Sequence, residues 1–591
     1  MSETYHARFS ARQSELQRMD RQFHRIGNAR LAAGILIAAA VWLAFGQRWI
    51  SPWWILVPSG AFAALVVAHE KTVQRRRNAQ RSARFYERGI ERIENRWQGR
   101  GQPGEDFRDP SHIYAEDLDL FGKGSLFELL NTARTRAGEE VLAQWLRAPA
   151  GIGETRERQH AVQELQPRLD LRESLALLGE DIRAGVHTEA LKTWASGDPV
   201  RFFPGTRALA FLTAAISVAA LALFLAGMAP LWPFLAIVFL ELGWMAASWP
   251  RIRAVLERME TPAKDLDLIA AMLERLERER FASPCLQAIC KRIGSGGGAA
   301  SRRIRELRRL VIRLDWARNQ VFTPIALLLL WHLQIALSIE RWRASHGPAI
   351  GAWLEAVGQV EALSSLSGYS FEHPSDPFPT LDRTPVGFSA RDLAHPLLPE
   401  STAVRNDLEL GGGARLMIVS GSNMSGKSTL LRALGLNVVL AWAGAPVRAR
   451  SFSVSALQVG ASIRIQDSLQ DGKSRFYAEI TRLRQLTARS GQQPPLLFLI
   501  DEMLSGTNSH DRRIGAEAIL ESLVEAGDIG LVTTHDLALA EIADSMQGRA
   551  VNVHFEDTLD DGKLTFDYRL RSGVVQRSNA LELMRGLGLI G

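Results

Sequence analysis

Two uncharged apolar runs lie near the start of the chain, residues 31–46 (LAAGILIAAAVWLAFG) and 52–68 (PWWILVPSGAFAALVVA), parted by the segment Gln47-Arg48-Trp49-Ile50-Ser51. A second pair, 208–227 and 230–248, meets at a Gly-Met-Ala-Pro turn and contains one charged residue, Glu241. A bilayer-crossing helix needs roughly 17 to 25 mainly apolar residues. Each pair therefore predicts a transmembrane helical hairpin. Tryptophans 49, 53, 54, 232, 244 and 249 fall near the run ends, where an interfacial aromatic belt places them. Arg21, Arg25 and Arg30 precede the first hairpin, Lys71, Arg75, Arg76 and Arg77 follow it, and Arg201, Arg207, Arg251 and Arg253 bracket the second. Basic flanks of this kind mark the cytoplasmic side. The expectation is a multi-pass protein of the cell (inner) membrane, in contact with lipid, its other parts cytoplasmic. Glu241 is expected to be protonated or paired between helices. A further run, 324–338 (PIALLLLWHLQIALS), is short and carries His332 and Gln334, which predicts a buried core helix instead.

The remaining amino-terminal sequence alternates apolar and polar residues at helical spacing. It divides into an N-terminal helix (1–30), a basic helical linker (69–116), a helical segment (117–206) and, past the second hairpin, a longer one (250–385) with a Gly/Ser turn at 294–298. At 591 residues the chain exceeds what one core organises. Its 46% hydrophobic and 23% charged residues exclude a disordered class. The net charge of +6 suits anionic lipid and nucleic acid equally well. Residues 1–30 are polar and no small-residue cleavage site follows, so a secretory leader is not expected. Cys285 and Cys290, five apart on a predicted helix, point to different faces and read as buried thiols.

Beyond residue 386 the pattern changes to short apolar runs separated by glycine-bearing loops. Residues 415–440 read as strand (RLMIVS), loop (GSNMSGKST) and helix (LLRALGLNVVL), with the spacing GxxxxGKS met from Gly421 to Ser428. Gly421 and Gly426 let backbone N–H groups converge on phosphate oxygens, with the helix N-terminus behind them. Gly421, Ser422, Asn423, Met424, Ser425, Gly426, Lys427, Ser428 and Thr429 are thus the candidate nucleotide-binding residues. Lys427 is expected to reach the β and γ phosphates, and Ser428 to ligate Mg²⁺. Downstream, PPLLFLIDE predicts a buried strand ending in Asp501, a second Mg²⁺ ligand, and Glu502, the base that orients the attacking water. A third strand, IGLVTT, leads to His535, within reach of the γ phosphate if the sheet is parallel and doubly wound.

Together these segments resemble the MutS mismatch-repair ATPase family. The likeness rests on Asn423 and Met424 inside the loop, GAPVRA at 444–449, DSLQDGKSRFYAE at 467–479, IDEMLSGTNSHD at 500–511, TTHD at 533–536, and the closing segment RLRSGVVQRSNALELMRGLGL. It covers residues 395–591. A weaker match, DLDLFGKGSLFELLNTARTRAGEEVLAQWLRAP at 117–149, resembles the start of the family's helical core and lever. The resemblance implies an ABC-like α/β P-loop NTPase domain (386–591) after a mostly helical lever region. It also implies ATP as the nucleotide, and a homodimer in which Ser474 is presented in trans to the partner's γ phosphate. The chain departs from the pattern in several places. The mismatch-reading domain is missing, and Phe85-Tyr86-Glu87 matches its wedge motif only by coincidence. Ala403 stands near the family's adenine-stacking aromatic, and Ser505 replaces an arginine common after the paired acids. The expected function is ATP binding and hydrolysis that closes a membrane-anchored dimer, with DNA binding in repair or recombination left open. Arg302, Arg303, Arg305, Arg308 and Arg309 are its candidate contacts. The alternative is a membrane-coupled mechanochemical ATPase that binds no DNA.

Overall fold

The computed structural model describes residues 2–178, 188–260, 266–294, 298–317, 322–464, 475–505, 507–560 and 563–575. The first two apolar runs are the distal ends of two much longer helices, Ser2–Val41 and Leu56–Ile93. These have 40 and 38 residues. At 1.5 Å per residue each is about 60 Å long, twice the thickness of a hydrocarbon core of about 30 Å. The helices are antiparallel, closed at the tip by turns at Trp42–Gly46 and Pro52–Ile55. Their apolar ends leave Leu31, Ile35, Trp42, Phe45, Trp53 and Trp54 exposed. Their polar ends hold each other through the Arg76–Asp20 ion pair and the Phe23–His69 ring contact at 4.9 Å. The second pair is Thr206–Leu225 and Trp232–Glu260, again with large apolar side chains outward (Leu209, Phe211, Leu225, Leu235, Phe239). Among the described residues, four helices are long and apolar enough to cross a membrane.

The helical region is organised on one helix, Trp331–Glu372, most of whose residues from Ile350 onward are buried. Helices Arg136–Arg147, Ile152–Leu165, Pro284–Gly294 and Ala300–Trp316 pack along it. Glu361 of this helix is buried, and its carboxylate accepts from the backbone N–H of Arg134 (2.8 Å) and from the N–H and hydroxyl of Thr135. Thr135 in turn caps the helix beginning at Arg136, accepting from the Gly138 N–H at 3.1 Å. Burial pushes the Glu361 carboxyl up to about 7 against these hydrogen bonds.

The end of the long helix meets the base of the first hairpin. Glu372, fully shielded, is gripped by Arg92 through Nε (2.7 Å) and Nη2 (2.6 Å) and receives the Tyr5 hydroxyl at 3.3 Å. Tyr86, also buried, donates to Glu173 at 2.6 Å and accepts from Arg8 at 3.1 Å. Its place in the Phe85-Tyr86-Glu87 triplet is thus one of packing.

Two helical expectations are corrected. Residues 117–149 are helical only at Leu126–Leu130 and Arg136–Arg147. Gly122 and Gly124 at φ +106° and +77° and Asp119 at φ +54° break the earlier part into turns. These turns press Leu118, Leu120, Leu126 and Phe127 into the core. The 324–338 run is not one helix either. It divides at Leu330, φ +48°, into Thr323–Leu328 and the start of the long helix, with Ile325 and Leu327 exposed while Leu333 and Ala336 are buried.

The carboxy-terminal domain has two sheets. Strands β1 (Gly387–Leu393), β2 (Asn406–Gly411) and β4 (Ser451–Val454) form a small antiparallel sheet in the order β2-β1-β4. The larger sheet runs β5-β6-β7-β3-β8-β9, with β3 at Leu416–Ser420, β5 at Gln458–Ser462, β6 at Leu496–Ile500, β7 at Ile529–Thr534, β8 at Ala550–Asp560 and β9 at Lys563–Ser572. All pairings are parallel except β8 with β9. Every residue of β3, β6 and β7 is buried, which is why they read as unbroken apolar runs. The helix Lys427–Ala443 covers this sheet and is itself covered by the turns around residue 118. At Gly435 a Cβ would stand 2.7 Å from Leu118 Cδ2, so glycine permits the close approach.

Candidate active site

Parallel pairing brings the carboxyl ends of β3, β7 and β6 to one edge: Ser420 lies opposite Thr534, and Ile500 opposite Val532. In open α/β sheets ligands bind outside the carboxyl ends of the strands. Here the loop after β3, the acids after β6 and His535 after β7 all emerge at that edge. The loop and the acids border a cavity of about 850 Å³ whose walls include Asn423, Met424, Gly426, Lys427, Ser428, Thr429, Asp501 and Glu502.

The loop turns by backbone conformations that most residues avoid. Gly421 and Gly426 have φ +155° and +100°, and Met424 has φ +69° with its side chain 85% exposed at the tip. A Cβ on Gly421 would stand 2.8 Å from the Ser425 hydroxyl and 3.2 Å from the Phe555 carbonyl oxygen, so the loop closes only with glycine there. Lys427 donates to the carbonyls of Gly421 and Ser422, both at 2.8 Å, which lays its side chain along the inside of the loop. Burial depresses its ammonium below the ordinary lysine range, opposed by the carboxylates of Glu502 and Asp501.

The acids are held by β7. Thr533 donates its hydroxyl to Asp501 Oδ1 and accepts the Glu502 N–H at 3.1 Å. Glu502 sits at φ +49° and turns its Oε1 to 3.4 Å from His535 Nδ1. The loop beyond is braced twice. The Leu504 N–H donates to the buried Glu479, and Arg512 donates to the carbonyls of Leu504 (3.1 Å), Ser505 (3.3 Å) and Thr507 (3.2 Å). An arginine thus holds the loop from the following helix, although position 505 itself is serine.

Lys427, Ser428, Asp501 and Glu502 are therefore together, and His535 reaches the group through Glu502. Ser474 lies outside the described residues. Ser428 offers a hydroxyl oxygen and Asp501 a carboxylate oxygen on the same cavity, a hard-oxygen pair that suits magnesium.

Tyr568 and His395 are among the lining residues that were not anticipated. Tyr568 on β9 presents its ring to the cavity, 43% exposed and close enough to Gly426 that a Cβ there would meet its Cδ1 at 3.1 Å. Asn406 fixes the strand behind it, donating to the Tyr568 carbonyl at 3.0 Å and accepting from the Leu570 N–H at 2.8 Å. The cavity thus has an aromatic wall although position 403 is alanine. His395 after β1 also faces it. The Leu397 N–H donates to His395 Nδ1 at 3.2 Å, and burial, aided by the Arg432 charge, pushes the imidazole down to about 4. His395 is therefore neutral with its proton on Nε2. Its His-Pro dipeptide was the available signal, whereas nothing local marked Tyr568.

Fold and site together define an α/β domain that gathers a glycine loop, a lysine and paired acids at one sheet edge. Residues 417–589 match the family MutS domain V. Endonuclease MutS2 of Thermus thermophilus is 38% identical over 196 residues, covering 33% of this chain and 25% of the relative. Endonuclease MutS2 of Thermomicrobium roseum is 36% identical over 206 residues (34% and 25%), and DNA mismatch repair protein MutS 2 of Halobacterium salinarum 31% over 261 residues (43% and 29%). The chain spans about a quarter to a third of the length of the curated relatives it matches. These matches support a MutS-type carboxy-terminal domain.

Proposed function

We propose that this domain binds ATP with Mg²⁺ and hydrolyses it, that two copies of the chain close around the nucleotides, and that the two helical hairpins anchor the protein in a bilayer. The observation that carries the nucleotide reading is the convergence of Lys427, Ser428, Asp501 and Glu502 on one cavity. The loop N–H groups and the helix starting at Lys427 face the phosphates, and Lys427 exchanges its loop carbonyls for phosphate oxygens. Ser428 and Asp501 would hold the magnesium ion, which when bound would offset phosphate charge. Glu502 orients a water for attack and accepts its proton, while His535 keeps the carboxylate turned toward the γ phosphate. Ser474, from the partner copy, completes the site.

The membrane reading is supported by the two hairpins of outward-facing apolar side chains, and their basic flanks favour a cytoplasmic nucleotide domain. ATP-driven closure of the dimer would then act on the first hairpin through the Glu372–Arg92 joint.

A DNA-linked reading is favoured by the relatives' names, endonuclease and DNA mismatch repair protein. At least three of the five candidate arginines on Ala300–Trp316 are already engaged within the protein, which counts against that surface as the contact. Arg305 pairs with Glu274 (2.8 Å), Arg308 with Asp267 (2.8 Å), and Arg303 with Glu306 (3.2 Å). Charges already paired within the protein release few counterions from DNA. ATP turnover by the full chain in liposomes and in detergent, with and without duplex and branched DNA at two salt concentrations, separates the readings. Stimulation by lipid alone supports the membrane-coupled ATPase, and salt-sensitive stimulation by DNA supports the DNA-linked one. Absence of turnover everywhere overturns both.

A further inference from the structure

The second hairpin is sealed by small residues on one helix and a mixed polar and apolar stripe on the other. Ala210, Ala214 and Ser217 form the buried face of Thr206–Leu225, while Glu241, Met245, Ser248 and Ile252 form that of Trp232–Glu260. Glu241 is 2% exposed and Ser217 is fully shielded. Among the described residues, neither carboxylate oxygen of Glu241 nor the Ser217 hydroxyl makes a hydrogen bond of good geometry. Among the described residues, the polar groups that face Glu241 are the hydroxyls of Ser217 and of Thr213, which also donates to the Ala210 carbonyl at 3.3 Å, and no charged group acts on it. Arg207 heads the partner helix, Arg251 lies ten residues beyond Glu241, and His332 of the long helix packs on Trp249, all toward the same end of the hairpin. Glu241 stands nine residues past Trp232. At 1.5 Å per residue that is about 14 Å, the middle of a hydrocarbon core of about 30 Å.

An unpaired carboxylate does not persist at such a depth, because nothing there offsets its lost hydration. Either a proton or a small cation must neutralise it. The structure supplies one negative group and two hydroxyls that both donate and accept, set among small neighbouring side chains.

We propose that Glu241, Ser217 and Thr213 form an intramembrane binding site for one small monovalent cation, a proton or sodium, with Glu241 as the charge-bearing ligand. The inference rests on the membrane reading given above. The hydroxyls donate to the carboxylate when a sodium ion sits beside it, and one of them accepts when the acid carries a proton. Occupancy keeps the seam electrically neutral and the hairpin closed. Loss of the cation leaves a bare charge between the helices and favours their separation, which links the hairpin to the neighbouring long helix.

The test uses the full chain in proteoliposomes and dicyclohexylcarbodiimide, an apolar reagent that modifies protonated carboxyls, read by peptide mass. Without sodium, Glu241 is expected to be labelled, labelling to fall as alkali removes the proton, and Glu241→Gln to lose the labelled peptide. Added sodium distinguishes the two ligands: competition that protects Glu241 identifies sodium, and labelling indifferent to sodium identifies the proton. Absence of label at every pH, in a chain that resists extraction by alkaline carbonate, overturns this inference alone. Release of the chain by carbonate overturns the membrane reading and this inference together. Modification of Glu241 by a water-soluble carbodiimide as readily as by the apolar one also overturns the site, since it places the carboxyl in water.

Discussion

Tyr568→Ala tests whether the cavity's aromatic wall holds the nucleotide base. Tyr568 is the cavity-lining aromatic with substantial exposed area, since Phe555, on the same cavity, is 3% exposed against 43% for Tyr568. Part of the ring is already engaged beside Gly426 and lies 6.0 Å from the Phe566 ring, leaving part of its surface for a ligand. A base stacked on an aromatic side chain contributes about 1 to 3 kcal/mol by alanine substitution. Partial ring access places Tyr568 in the lower part of that range, about 1 to 2 kcal/mol, or roughly 5- to 30-fold in Kd. Backbone strain does not confound the result, because Tyr568 sits at φ +54° and alanine, phenylalanine and tyrosine share that cost. Equilibrium binding of a fluorescent ATP analogue and of inorganic triphosphate, with Tyr568→Phe as the control, separates base from phosphate recognition. Tyr568→Ala should weaken ATP alone, and Tyr568→Phe should bind as the wild type does. Equal loss of ATP and triphosphate, or no loss of ATP, refutes the base-stacking assignment.

Three further outcomes follow from the packing. Thr533→Val removes the hydroxyl that holds Asp501 and supports Glu502; a lost outer partner of a metal ligand costs about 10- to 100-fold, so the Mg²⁺ needed for half-maximal turnover should rise within that range, and an unchanged titration contradicts the role given to Asp501. Arg92→Met strands Glu372, whose side chain is fully shielded, and should destabilise by about 3 to 5 kcal/mol in urea unfolding, with most of the loss recovered in Arg92→Met/Glu372→Gln; equal stabilities for the single and double variants would show that the pair is not the joint. His395 titrates near 4 in the folded chain against an ordinary value near 6.5, so the unfolded chain binds more protons between those values. Stability from this group is therefore full above the ordinary value and falls as pH drops through the window; His395→Gln should flatten that part of the profile, and a slope unchanged by the substitution refutes it.

The parts legible in the sequence are those in which one local run carries the signal. Gly421 to Thr429 and Asp501 with Glu502 follow strands whose unbroken apolar runs announced a covered parallel sheet, and the structure sets them on one edge. The apolar runs near 31–68 and 208–248 likewise marked helices, although those of the first pair extend well beyond the runs. Signals that depend on tertiary neighbours were not legible. Tyr568 gains its meaning only when β9 pairs with β8 and the ring arrives beside Gly426. The turns around residue 118 look amphipathic, yet Asp117 there is spent on the N–H groups of Ile463 (2.7 Å) and Arg464 (2.8 Å) and on Arg482. At 324–338 the hydrophobic pattern could not show the left-handed residue Leu330 that breaks it. The arginines of 302–309 were readable as a basic stripe, but their acidic partners Glu274 and Asp267 come from another helix.

The central claim is that Glu502 performs the chemistry of ATP hydrolysis in a cavity built by the residues around it. The most direct measurement is phosphate release by the purified full chain and by Glu502→Gln, alongside ATP binding to both. Removing a positioned base typically costs 10²- to 10⁴-fold. The account predicts a fall of roughly 10²-fold or more in turnover with ATP still bound by the variant. Turnover by Glu502→Gln equal to that of the wild type would contradict it.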